Sequence, residues 1–101
     1  MAKGGADWTL EGFTHWLEIW EMNEPASAVY DHLRVTVISW ILGRYSDPYQ
    51  GMRRDADVDN LWFSAIPGTE HGGEVVCCSY LISEATRTVR CASIMTLSMP
   101  V

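Results

Sequence analysis

The chain has 101 residues, 48% of them hydrophobic, with a formal charge of −6 at pH 7. That length suits one domain around one core, and the negative charge works against nonspecific binding to nucleic acid backbones. No apolar run approaches the ~18 residues that cross a bilayer, and MAKGGADW lacks the apolar stretch of a secretory signal, so a cytoplasmic protein with no membrane partner is expected.

Residues 1–6 are small and Gly-rich and are expected to be disordered. Trp8-Thr9-Leu10 suits a short edge strand. Phe13, Trp16, Leu17 and Trp20 then recur at the spacing of one helix face, with Thr14, His15, Glu18 and Glu21 on the solvated side. This first helix, about residues 11–22, stops near Asn23-Glu24-Pro25. Pro25 suits the first turn of a second helix, where its missing N–H costs nothing. The buried stripe of that helix would be Ala26, Tyr30, Leu33, Val37 and Trp40 or Ile41, and Gly43 ends it. The short link makes residues 8–43 a strand followed by a roughly antiparallel helical hairpin.

Residues 44–60 are polar and turn-rich and read as a connecting loop. Asp55, Asp57 and Asp59 alternate as in a calcium loop, but the Gly and distal Glu of an EF-hand are missing at the required spacing. After this, 61–97 holds three apolar runs: Leu61–Ile66, Glu74–Ile82 and Thr88–Leu97. Pro67-Gly68 and Gly72-Gly73 separate the first two, and Ser83–Arg87 the last two, which predicts a three-stranded antiparallel meander. Glu74–Ile82 is apolar on both faces and is therefore the central strand. Helices segregated ahead of an antiparallel sheet make an α+β fold.

Cys77, Cys78 and Cys91 are an odd count without a CxxC pair, so neither a disulfide scaffold nor a zinc site is indicated. A hairpin loop of Ser83–Thr86 would set Cys78 opposite Cys91. A disulfide there is conceivable, and reduced, buried thiols are the preferred expectation. His15 and His32 lack a second metal ligand at i+4, and the glycines at 68, 72 and 73 precede no helix, so no metal, phosphate or other cofactor is expected.

With the order strand, helical hairpin and meander, the chain from Trp8 to about Leu97 resembles the RelE/ParE superfamily of small bacterial toxins. The local matches are Asp47-Pro48-Tyr49-x-Gly51, Leu61-Trp62, Tyr80-Leu81-Ile82 and Val89-Arg90-x-x-x-Ile94. The resemblance implies a growth-inhibiting toxin of a type II toxin–antitoxin pair. Such a protein acts on ribosome-bound mRNA or on gyrase and is neutralised by a small antitoxin. The chain departs from the ribonuclease members in two places. Cys77 stands where they commonly carry an Arg, three residues before the Tyr, and no Tyr, His or Lys follows Tyr80.

RNA cleavage needs an acid, a base and cations around a crowded phosphate. The candidates are His71, in a loop beside Glu70, with Arg87 and Arg90 on the last hairpin. Arg53 and Arg54 could contact RNA, although the neighbouring aspartates are their expected partners. Against this stands a noncatalytic reading on the same scaffold. Trp8, Trp16, Trp20, Trp40 and Trp62 are many for so small a core, and exposed Trp is enriched at interfaces. Trp16, Trp20 and Trp62 are the interface candidates, for a homo-oligomer or another protein partner.

Overall fold

The computed structural model describes residues 8–24 and 28–99. The expectations for residues 1–6, Pro25 and Ala26 lie outside the described residues. The elements run β1 (Thr9–Glu11), α1 (Phe13–Asn23), α2 (Ala28–Leu42), a 3-10 turn (Gly43–Tyr45), β2 (Arg53–Arg54), β3 (Leu61–Ala65), β4 (Glu74–Ser83) and β5 (Thr88–Ser98). The fold is α+β, with two helices and a mixed five-stranded sheet ordered β1-β5-β4-β3-β2. β1 runs parallel to β5, and the other neighbours are antiparallel. Among the described residues no helix is long and apolar enough to cross a membrane.

Both helices contribute to the one core, which lies on one face of the sheet. Phe13 and Trp20 of α1 and Leu33, Val37 and Ile41 of α2 pack with Val76, Cys78, Tyr80 and Ile82 of β4 and Val89, Cys91 and Ile94 of β5. The helical residues sit at the spacing that keeps one face inward, and the strand residues alternate. Gly12 makes the turn from β1 into α1. Its φ is +78°, and a Cβ there would stand 3.4 Å from the Cys91 carbonyl oxygen. A side chain would thus meet both a left-handed backbone and a close strand.

Two expectations need correction. Residues 44–60 are more than a loop, because Arg53 pairs with Phe63 and Arg54 with Trp62 as an edge strand. The Asp55 carboxylate accepts the N–H groups of Asp57 and Val58, at 2.8 and 2.9 Å, and the Asp55 N–H donates to Leu61. This Asx-type turn folds the chain back on itself. The acid that suggested a metal loop is thereby occupied by backbone.

The second correction concerns register. The last hairpin turns over Glu84–Arg87, with Arg87 at φ 53° and Ser83 opposite Thr88, and a bulge follows between Ser79 and Tyr80. Cys91 consequently faces Tyr80, and Cys78 faces Ile94. The three thiols are free. Cys78 is held well above the usual thiol range, first by its hydrogen bond with Cys91 and then by burial.

Candidate interaction surface

The face of the sheet away from the helices follows from the two-residue period of its strands. In β4 it carries Val75, Cys77, Ser79 and Leu81. Register sets Phe63 beside Ser79, Ala65 and Met95 on either side of Cys77, and Leu97 beside Val75. Phe63, Met95 and Leu97 are 40%, 43% and 45% exposed. With Val75, Cys77 and Arg53 they line a concave region of about 660 Å³. The Ser79 and Ser93 hydroxyls bond each other at 2.7 Å in the middle of the face. Beyond them Arg90 pairs with Glu11 at 3.2 Å, which cancels the charge at that end. A strand covered on both faces reads as a continuous apolar run. β4 reads that way, yet no described helix covers its second face: Val75 is buried among its strand neighbours, Cys77 and Ser79 are half-buried, and Leu81 is exposed.

The candidate catalytic residues are not brought together. His71 sits in the β3–β4 turn, where its Nδ1 donates to the Thr69 carbonyl at 2.8 Å and its Nε2 lies 3.8 Å from Glu74. Arg87 sits at the far end of the ten-residue β4, roughly 30 Å away along the strand. Its guanidinium stacks 4.1 Å over Trp8 and lies 3.9 Å from Glu84. Arg90 is held by Glu11, and Arg54 lies 3.7 Å from Asp59. Arg53 stands on the open face beside Phe63 with no ion pair among the described residues. No group of three or more His, Cys, Asp or Glu gathers there either.

The tryptophans are not the exposed residues. Trp20 is 2% exposed and donates its indole N–H to Thr96 Oγ1 at 2.9 Å. Trp16 and Trp62 are half-buried against the core, Trp62 edge-on to Tyr49. On the open face the apolar side chains that reach solvent are Phe63, Leu81, Met95 and Leu97, whose signal was the alternation along their own strands; Met22, Val35 and Leu42 are exposed singly on the helical side. Arg44 was also missed. It is 5% exposed, stacks 4.3 Å over Trp40, and donates to the Trp40 and Gln50 carbonyls at 3.2 and 2.9 Å.

One phenol is tied into this interior and another bonds at its exposed rim. Tyr80 donates to the Pro48 carbonyl and Tyr49 to the Glu84 carboxylate. Burial pushes Tyr80 up to about 12, against the opposing pull of Arg44. Tyr49 is raised to about 12 by burial first and by Glu84 second. Both folded values exceed the ordinary 10.0, so the unfolded chain releases these protons first. Their contribution is complete below pH ~10 and is lost as pH rises towards ~12. Denaturant midpoints stepped through that window should fall, and Tyr49→Phe/Tyr80→Phe should flatten the fall.

No family model, curated protein or solved structure matches this chain.

Proposed function

We propose that the protein is a noncatalytic interaction domain that pairs with a second copy of itself through the open face of its sheet. The observation that carries this reading is the exposure of Phe63, Met95 and Leu97 together on the face opposite the helices. Contiguous exposed apolar surface of this kind marks interaction sites. The charge distribution favours a second copy. Ten of the 13 acids lie in residues 1–60, whereas the open face holds the Arg90–Glu11 pair and Arg53. Two sheets packed about 10 Å apart would keep both acidic helical layers outermost. The helix-borne carboxylates of the two copies would then be separated by more than the Debye length of about 8 Å at physiological salt, and Glu11 is already neutralised by Arg90.

Sedimentation equilibrium tests this. The wild-type protein should dimerise, and Phe63→Arg should weaken the dimer at least ~100-fold by burying a second cation beside Arg53. Its far-ultraviolet circular dichroism should not change. A wild-type chain that stays monomeric at high concentration rules the pairing out.

The element order favours a second reading, a RelE/ParE-like toxin that acts by binding. Strand, helical hairpin and meander follow one another as in that superfamily. The distance between His71 and Arg87 speaks against mRNA cleavage, which needs its acid, base and cations on one phosphate. In this reading the protein arrests bacterial growth by occupying gyrase or the ribosome, and an antitoxin relieves the arrest. Induction in a bacterium should stop growth, and Arg87→Ala/Arg90→Ala should restore it. Unaltered growth on induction of the wild type refutes it.

A further inference from the structure

β5 is longer than the strand on its outer side. β1 pairs with it only at Thr88–Arg90 and then turns away through Gly12 into α1. From Ser93 to Ser98, β5 is bonded to β4 on one side, with Ala92 the extra residue at the bulge. Among the described residues no backbone bond is made from its other side. The sequence there, Ala-Ser-Ile-Met-Thr-Leu-Ser, has no charge and no proline, the features that usually keep a strand edge unpaired.

Alongside this edge α1 forms the second wall of a groove of about 370 Å³, lined by Trp16, Ile19, Ile94, Met95 and Thr96. Two carboxylates, Glu24 and Glu74, and no Lys or Arg line it. Glu24 accepts the Thr96 hydroxyl at 2.7 Å, so its charge sits beside the middle of the free segment.

We propose that this edge and groove take an extended segment of a different protein, added as a further strand and carrying Lys or Arg between apolar residues. Main-chain hydrogen bonds to β5 supply affinity, and alternate side chains meet the apolar wall. The cations meet Glu24 and Glu74, which selects a basic segment. A second copy is disfavoured here. A two-fold axis on so short an edge would bring the two Glu24 carboxylates together as water is excluded. The surface shares Met95 with the rim of the open face but is built on the β5 edge and α1, and the inference does not rest on the pairing proposed above.

The test uses the full chain, isotopically labelled, and a blocked nonapeptide of alternating Lys and Val. Hydrogen exchange at alternate amides of 92–98 should slow at least ~10-fold on saturation, and affinity should fall with added salt. Glu24→Gln should weaken binding several-fold, and an alternating Glu and Val peptide should not bind. N-methylation along one edge of the Lys–Val peptide should abolish binding without altering the protein. Phe63→Arg should leave it unchanged, which separates this site from the open face.

The inference is overturned if exchange at 92–98 does not respond to the peptide. It is equally overturned if protection appears at Arg53–Arg54 instead, or if the Glu–Val peptide binds as well. Protection of 92–98 that rises with protein concentration alone would assign the edge to a second copy.

Discussion

Trp20→Ala is expected to lower the free energy of unfolding by about 3–5 kcal/mol. The indole is 2% exposed, in the core cluster shared by both helices and β5. Truncation removes its apolar contacts and leaves a cavity bounded by elements that cannot all move inward. It also removes the donor to Thr96 Oγ1, whose own proton is directed to Glu24. Against a typical domain stability of about 5–15 kcal/mol, this is a large share. Urea denaturation should show a lower midpoint with an unchanged slope. Trp20→Phe keeps most of the ring and should cost only about 1–2 kcal/mol, chiefly for the lost hydrogen bond. An alanine variant as stable as the parent would contradict the packing of α1 on β5.

Arg44→Ala should cost about 2–4 kcal/mol, with a different origin. The side chain is 5% exposed and has no carboxylate within ion-pair distance among the described residues. Its charge is met by the Trp40 and Gln50 carbonyls and by the Trp40 ring. Removing it orphans two acceptors, each worth about 1–3 kcal/mol if it stays buried, and forfeits a cation–π contact. Arg44→Lys should recover only part of the loss, because an ammonium cannot reproduce the planar fork that reaches both carbonyls and the ring. A second readout separates this cation from mere bulk. Arg44 lowers the Tyr80 phenol against burial, so Tyr80 should titrate still higher in Arg44→Ala. A phenolate transition that stays in place would show that the guanidinium does not reach Tyr80.

Local periodicity made much of the fold legible. Phe13 and Trp20 at the helix repeat, and Leu33, Val37 and Ile41 at theirs, are buried as their spacing predicts. The three runs after Leu61 became β3, β4 and β5 with ends shifted by a residue or so. Less could be read where partners are distant in sequence. The parallel pairing of Thr9 with Thr88 joins residues from opposite ends of the chain, and no local pattern encodes it. Arg53–Arg54 carries no strand pattern and pairs because the Asp55 turn returns the chain to β3.

The candidate site was harder to see for a related reason. Residue type suggested the tryptophans for contact and His71 with the arginines for chemistry. Exposure is not a property of residue type. Trp20 was drawn inward because its ring fills the space between α1 and β5, while the smaller Met95 and Leu97 alternate outward onto the strand face that no described element covers. His71 and Arg87 were separated by the length of β4, a distance visible only once those ten residues form one continuous strand.

By itself the sequence determined the two helices and the strands other than β2, because hydrophobic period and turn residues act within a few positions of one another. It also determined that the helical half would carry most of the acids. The tertiary structure alone decided the register of the hairpins, the flanking of the meander by β1 and β2, and which of the two apolar faces of β4 stayed open. Those outcomes depend on volumes and hydrogen-bond partners supplied from far along the chain, and only the folded whole brings them together.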